Sequence, residues 1–380
     1  MSFKNKGFDM NSAPASYGQL IATRYRDCAT PLTIDVSGAI PSLSSKSGIS
    51  QADLAFIASR VSMFLERGYN VQDTYGRLDE GRVPHCQGAV VDDLLAATLA
   101  PCPDRRFSVI ITHDVDRTTL CECTAIAKII MGTRARTMRS TISYLGTCRS
   151  AIAKTIDELL RFETDNNIRS VFFFLSGPYS LARYGSRNSI SWSSAQGIIR
   201  AVKAAGMEIG LHGSYYAMDK GSYADERRRL ADAALSPIRH HRNHYLRFDP
   251  KRFWRQLSDA GIVFDHSVGF TNRWGLRTGT CIPYPVYDYS AQTLSGIIEV
   301  PMVIMDGTWA QHFDRAVLDD IRALLGAVRR HRGCVGINFH PEALALATNR
   351  AAWEYFRRIV DICRELGADM RIPVDSSLLG

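Results

Sequence analysis

The chain has 380 residues, enough for one large α/β domain and an extension, with the composition of an ordinary globular protein. Its formal charge of +8 and pI near 9.0 come from scattered basic residues, clustered locally at Arg134–Arg139, Arg227–Arg229 and Arg239–Arg242. No basic run interleaved with aromatics marks a nucleic-acid module, and no stretch reaches the roughly 18 apolar residues needed to span a bilayer. An anionic substrate, such as a nucleotide sugar or lipid phosphate, suits the balance, and so do solvated helix faces.

The first 16 residues have no apolar signal region, and the nine cysteines form no CxxC pair. Cys121 and Cys123 are too close for zinc-finger spacing. Both facts predict a cytoplasmic protein in a reducing compartment, with no transmembrane segment. In chain order, Gln51–Arg67 reads as an amphipathic helix, Gly68–Gly88 as a segment punctuated by Gly and Asp, and Val90–Ala100 as a short helix. Pro101–Asp104 is a breaker, and the domain boundary is placed there, separating residues 1–105 from residues 106–380.

Strands and helices alternate after that point. The apolar runs Phe107–Ile111, Ser170–Leu175, Met207–Leu211, Ile262–Phe264, Ile297–Met305, Cys334–Phe339 and Met370–Pro373 predict strands. Between them, Ala151–Asn166, Ser193–Ala205, Tyr223–Leu235, Pro250–Ala260, Ala316–Arg332 and Arg350–Leu366 predict helices. Repeated βα units imply an α/β fold, a distorted (β/α) barrel of about seven parallel strands with a small N-terminal extension.

Chemistry-bearing residues sit where these strands end. Phe107–Ile111 runs into Thr112-His113-Asp114-Val115-Asp116. Burying two carboxylates there is costly unless a metal, a partner charge or a reacting proton compensates. His212 follows the next apolar run. In Arg242-Asn243-His244-Tyr245-Leu246, an extended backbone puts Arg242, His244 and Leu246 on one side. His240 and His241 read as surface residues. Asp265 follows Ile262–Phe264, and His340 follows Val335–Phe339. An imidazole at a strand end suits proton transfer near neutral pH, and Asp265 is a candidate to orient it. Arg277 and Asp306 lie in turn-like sequences and are candidates for substrate contact. Tyr184, Trp192, Trp274 and Trp309 are available to stack on a sugar ring, or to pack in the core. A metal held by Asp and His, a carboxylate base, an Arg positioning it and a His acid together describe metal-assisted hydrolysis of an amide or ester.

The motif order resembles the polysaccharide deacetylase superfamily, carbohydrate esterase family four, over roughly residues 106–345. Thr112–Asp116 stands in place of the family's Thr-Phe-Asp-Asp-Gly, and Ser170–Phe174 in place of its STFFF-like strand. Glu208–His212, Arg242–Tyr245, Asp265 and Asn338–His340 follow in the family's order. The set HDVD, GLHGSY, RxHYLRF and GLRTGT looks like a branch found among bacterial surface-polysaccharide biosynthesis proteins.

The resemblance implies Asp114 as general base, with Arg242 orienting it. It implies Asp116 and His212 as metal ligands, Asp265 as a further catalytic residue and His340 as general acid. The spacing leaves Asp114 and Asp116 exchangeable. Where the family has a second His, this chain has Tyr216. His244, standing where the family has proline, is then expected as the third ligand. Two His and one carboxylate suit zinc and leave room for water. The implied function is a carbohydrate deacetylase acting on a small-molecule or lipid-linked sugar in surface polysaccharide or lipopolysaccharide biosynthesis. A deformylase or amidohydrolase on another C–N substrate, and a catalytically inactive carbohydrate-binding homologue, are the alternatives.

Overall fold

β-Branched and aromatic residues dominate the runs that become strands, and the turns between them are polar, so the chain alternates between a buried sheet and covering helices. The computed structural model describes Ile21, Ile57, Arg60 and residues 73–75, 77, 88–97, 101–119 and 138–371, without 188, 289–290, 292, 309–314 and 346–349. The expected helix Gln51–Arg67, Trp309, the Cys121/Cys123 pair and the last residues of the expected strand Met370–Pro373 lie outside them, in whole or in large part.

Among the described residues, nine strands form one sheet: β1 Ser108–Val115, β2 Val171–Leu175, β3 Glu208–Gly213, β4 His240–Asn243, β5 Phe264–Asp265, β6 Tyr284–Asp288, β7 Thr293–Glu299, β8 Met302–Met305 and β9 Cys334–Asn338. Their order is β6-β7-β5-β4-β3-β2-β1-β9-β8, and every pair is parallel except β6 with β7. The expected strand Ile297–Met305 is therefore two strands. Asp265 pairs with Glu299, and the Val300 N–H donates to the Asp265 carbonyl at 2.8 Å. From Pro301 the segment turns to β9, where the Gly336 N–H donates to the Pro301 carbonyl at 2.8 Å. Proline has no N–H to continue the first ladder, so the partner switch falls on it. Because β7 and β8 are one stretch of chain, the sheet closes on itself as a barrel of seven parallel staves, counting β7–β8 once, and β6 is an antiparallel appendage. Sequence reading passed over β6, whose Tyr-Pro-Val-Tyr-Asp looks like a turn, and read β4 only as an extended segment. Among the described residues, Met370 and Arg371 of the expected strand lie in no named strand; an isolated bridge joins Ser108 to Asp369.

Alternation along the staves separates two cores. Ile110, Val171, Phe173, Phe264, Ile298, Val300 and Cys334 fill the barrel. Val109, Ile111, Phe172, Phe174, Leu211, Val335 and Ile337 face outward into a larger cluster under the helices. The main covering helices are α1 Val90–Ala96, α2 Met138–Asp165, α3 Ser193–Ala204, α4 Tyr223–Ala234, α5 Phe253–Asp259, α6 Arg315–Arg330 and α7 Arg350–Glu365. Helix α2 begins well before the expected Ala151, and α1 stops at Ala96 rather than Ala100. The α1 segment packs on the barrel: the Val91 N–H donates to the Gly279 carbonyl at 2.8 Å, and buried Asp92 accepts from Thr280 Oγ1 and the Cys281 N–H, both at 2.7 Å. Among the described residues Cys281, Cys334 and Cys363 are free and buried, whereas Cys102 is disulfide-bonded. Among the described residues no helix is long and apolar enough to cross a membrane.

Candidate active site

The same alternation selects which strand-end side chains meet. On β1, His113 faces the helices: its ring lies 2.7 Å from Glu163 Oε1 of α2 and packs on Phe172 and Phe356. Thr112 and Asp114 face the barrel axis. Arg242 Nη1 donates to Asp114 Oδ1 and to Thr112 Oγ1, both at 2.8 Å, and Asn338 Nδ2 donates to Asp114 Oδ2 at 2.9 Å. Arg242 is fully buried, with its guanidinium over the Phe173 ring at 4.6 Å and Nε donating to the His266 carbonyl at 3.1 Å. Gly210 makes room for that ring: a Cβ there would meet Phe173 at 2.5 Å. Burial raises the Asp114 pKa, but Arg242 above all, with His212 and His340, outweighs it and holds the carboxyl below its ordinary value. Asp114 is thus an ionised, oriented carboxylate at neutral pH.

Asp116, His212 and His244 form a second cluster beside it. Their ligand atoms all lie within 4.8 Å of one another. His212 Nε2 is 3.1 Å and His244 Nε2 is 3.5 Å from Asp116 Oδ1. Asp116 Oδ1 and His212 Nε2 are nonetheless buried without a hydrogen-bond partner. His212 Nδ1 faces the Arg242 carbonyl at 3.0 Å. That contact makes Nδ1 the protonated nitrogen and leaves the Nε2 lone pair directed at Asp116. Two buried polar atoms that face each other without a hydrogen-bond partner fit a bound cation, and the two-His, one-carboxylate set fits zinc. Burial raises the Asp116 pKa, but His244 and then His212 hold it well below the usual range. His244 reaches this cluster from a single 3₁₀ turn, His244–Leu246, in which Tyr245 and Leu246 take φ of 61° and 51°. Two consecutive non-glycine residues in the left-handed region are strained, and such strain commonly sits at functional sites. The expected alternation onward to Leu246 thus ends at His244; Leu246 packs with Met302 and Met305.

His340 continues the inward series of β9 after Asn338. Its Nδ1 is 2.8 Å from Asp306 Oδ1, its backbone N–H donates to Asp306 Oδ2 at 2.7 Å, and its Nε2 is 3.7 Å from Asp114 Oδ2. Burial lowers the His340 pKa, but Asp306 chiefly, with Asp116 and Asp114, raises it well above 6.5. Glu342 Oε1 accepts from the Arg117 N–H at 2.6 Å and its Oε2 is buried without a partner. Burial, then Asp116, pushes that acid up to about 8.

Of the residues expected at the site, Asp114, Asp116, His212, Arg242, His244 and His340 are brought together. Asp265 is not, and the expectation that it orients the imidazole is corrected. Phe264 points into the barrel, so Asp265 points out, to His241 Nδ1 at 2.8 Å, Ser267 Oγ at 2.7 Å and Trp254 Nε1 at 3.1 Å. Glu299 lies against it, with a pKa raised well above 4.5 by burial and by Asp265. Asp306 takes the orienting role instead. His240 and His241 are buried, not surface residues: His240 stacks on Phe264 and His241 lies among Tyr223, Phe253 and Asp265. Arg277 is buried, donating to the Gly269 carbonyl at 2.9 Å under Phe248 and Phe270. Sequence reading assigned Thr112, Asn338 and Glu342 no role of their own; inward alternation from Asp114 and His340 is the signal that finds the first two.

A tyrosine cluster borders the cation ligands. The Tyr245 ring is 4.1 Å from that of His244 and stacks on Tyr75 at 5.1 Å and 19°. Tyr184 contacts Tyr75, Tyr215 and Tyr245, and its hydroxyl donates to the Thr74 carbonyl at 2.6 Å. Asp73 braces this N-terminal turn by accepting from the Tyr75 and Arg77 N–H groups at 2.8 and 3.0 Å. Tyr75 itself is 38 % exposed. Tyr216, at the position of the family's second His, lies by Tyr215 and Lys220.

No family model and no curated protein matches the chain. Among solved structures it is similar to a polysaccharide deacetylase described as putative from Mycobacterium smegmatis, 17 % identical, covering 71 % of this chain and 87 % of that one with a TM-score of 0.45. It is also similar to Puue allantoinase, 13 % identical over 72 % and 90 % with a TM-score of 0.48. A third likeness is the chitin deacetylase of Colletotrichum lindemuthianum, 13 % identical over 72 % and 88 % with a TM-score of 0.37. With TM-scores below 0.5, these likenesses establish neither an activity nor a family for this chain.

Proposed function

We propose that this protein is a divalent-metal-dependent hydrolase of the polysaccharide deacetylase kind, removing an acyl group, acetyl in the first instance, from an amino sugar. The observation that carries this reading is the adjacency of two clusters. An ionised Asp114 held by Arg242 and Asn338 lies beside Asp116, His212 and His244, whose candidate ligand atoms converge within 4.8 Å and two of which, Asp116 Oδ1 and His212 Nε2, are buried without a hydrogen-bond partner. Bound there, zinc would act as a Lewis acid, polarising an acyl carbonyl and lowering the pKa of a water.

The chain's own groups supply the proton transfers. Asp114 accepts a proton from the attacking water, and Arg242 keeps the carboxylate ionised and aimed. His340, protonated and held by Asp306, donates from Nε2 to the leaving nitrogen as the C–N bond breaks. Water adds to the acyl carbon, and the products are a carboxylate and a free amine. Removal of Asp114 from this scheme leaves no base within reach, and removal of His340 leaves the amine a poor leaving group.

The sugar, and the place of the reaction in surface polysaccharide or lipopolysaccharide assembly, rest on the motif resemblance of residues 112–116, 208–212 and 242–245. We divide the chain into an extension, 1–105, and the barrel, 106–380. A cytoplasmic location suits a nucleotide- or lipid-linked precursor; the disulfide at Cys102 weighs against it. The test is acetate release from acetylated nucleotide sugars, with and without chelator. Chelator-sensitive acetate supports the reading. Formate from a formylated substrate redirects it to a deformylase, and no release from any acylated sugar that binds overturns it in favour of a binding protein.

A further inference from the structure

At the pole of the barrel opposite this site, several chain segments surround an open cavity of about 750 Å³. Arg105 and Arg106 lead into β1, Arg332 leads into β9, Arg329 and Arg364 end α6 and α7, and Arg371 follows the last described bridge. Asn166 and Asn167, just past α2, complete the polar lining, and Asp369 is its one carboxylate.

Arginine at a helix C-terminus commonly offsets the helix dipole, and three helices end here. That accounts for only part of the charge. Three helix ends amount to about −1.5 elementary charges. Asp369 is paired with Arg371 at 2.8 Å, and Asp361 with Arg364 at 3.0 Å. Set against six guanidiniums converging on one concavity, these leave the lining positive. A solvated helix face does not explain the excess, because the arginines arrive from separate segments and converge on one concavity.

We propose that this cavity binds a compact di- or triphosphate group. Guanidinium forks present paired N–H donors that match phosphate oxygens. The surface is concave, which suits a compact polyanion better than a flat bilayer. Because the cavity lies at the opposite end of the barrel from Asp114, its occupant is not the reacting sugar; it is a second ligand, held whatever the barrel hydrolyses.

The test is calorimetric titration of the full chain with inorganic pyrophosphate, tripolyphosphate and orthophosphate, beside the double variant R106Q/R329Q. Both replaced residues are exposed and remote from the site. Wild type and variant are prepared with equal metal content, so phosphate held by the cation is common to both. The expected result is preference for the di- and triphosphate over orthophosphate, loss of affinity with added salt, and at least about tenfold weakening in the variant with its melting temperature unchanged. Equal affinities in wild type and variant overturn the proposal. So does absence of pyrophosphate binding, or retention on acidic phospholipid vesicles that pyrophosphate does not displace.

Discussion

His212 and Arg242 are neighbours on adjacent strands, and one residue serves both clusters. The Arg242 carbonyl faces His212 Nδ1 at 3.0 Å, while its guanidinium donates to Asp114 at 2.8 Å. The pairing of His212 with Arg242 in the β3–β4 register makes this arrangement a property of the backbone. A shift of one residue there would turn both side chains out of the barrel.

Replacing Asp114 with Asn keeps its shape but removes the base. Turnover is expected to fall by about 10²–10⁴. Metal content, measured by elemental analysis, should stay at the wild-type level because Asp114 lies outside the cation cluster. Metal loss in parallel with activity would mean that Asp114 and Asp116 have exchanged roles.

His244→Ala tests the ligand that Tyr216 does not provide. Second-layer partners of metal ligands are worth about 10–100-fold in affinity, and a direct ligand is worth at least that. Competition with a chromophoric chelator should show the variant weakened by 100-fold or more, with Tyr216→Phe unaffected. An unchanged affinity removes His244 from the metal site.

Asp306 raises the His340 pKa, so the imidazolium persists to higher pH than an ordinary histidine. The acid must be protonated to act, so kcat/KM is expected to fall as pH rises through this raised value, on an alkaline limb well above 6.5. It should also fall on an acid limb as Asp114, held below its ordinary value, takes up a proton. Asp306→Asn should move the alkaline limb down toward about 6.5 and leave the acid limb in place. A profile in which neither limb moves excludes His340 as the acid.

Asp265→Ala separates a structural role from a chemical one. It leaves His241 and Ser267 without their acceptor and Trp254 with only Glu299 at 3.4 Å, each orphaned buried donor costing about 1–3 kcal/mol. The expected outcome is a lower melting temperature with kcat per folded molecule within about twofold of wild type. A kcat loss of several hundredfold in folded protein would return Asp265 to the site.

Tyr75→Ala removes the exposed member of the tyrosine cluster. Aromatic pairs add about 0.5–1.5 kcal/mol beyond burial, so KM should rise about 2–10-fold with kcat held. A kcat effect without a KM effect would mean that the turn at residues 73–77 shapes the cation ligands rather than a substrate wall.

The barrel was legible because apolar runs of period two, each ending in a polar group, are a local signal that tertiary packing reinforces. Asp114, His212, Arg242 and His340 stood out for the same reason: ionisable groups at the ends of buried strands are expensive, and chemistry is one reason to keep them. Asp265 misled because its position after a short apolar run gives no parity, and the two-residue strand β5 turns it toward α5. Asp306 and Asp265 are each an Asp beside an apolar segment, and only the closure of β8 onto β9 brings one of them to His340. His244 was expected at the metal from the missing histidine, but an extended strand could not continue past it; two left-handed residues follow it instead. By itself the sequence determined the alternation of strands and helices and the identities of the charged strand ends, since those depend on neighbours a few residues away. Which imidazole meets which carboxylate was decided only by the tertiary structure, because partners from 24 positions apart (His241 and Asp265) to 226 apart (His340 and Asp114) are joined by strand register and barrel closure, which no local pattern encodes.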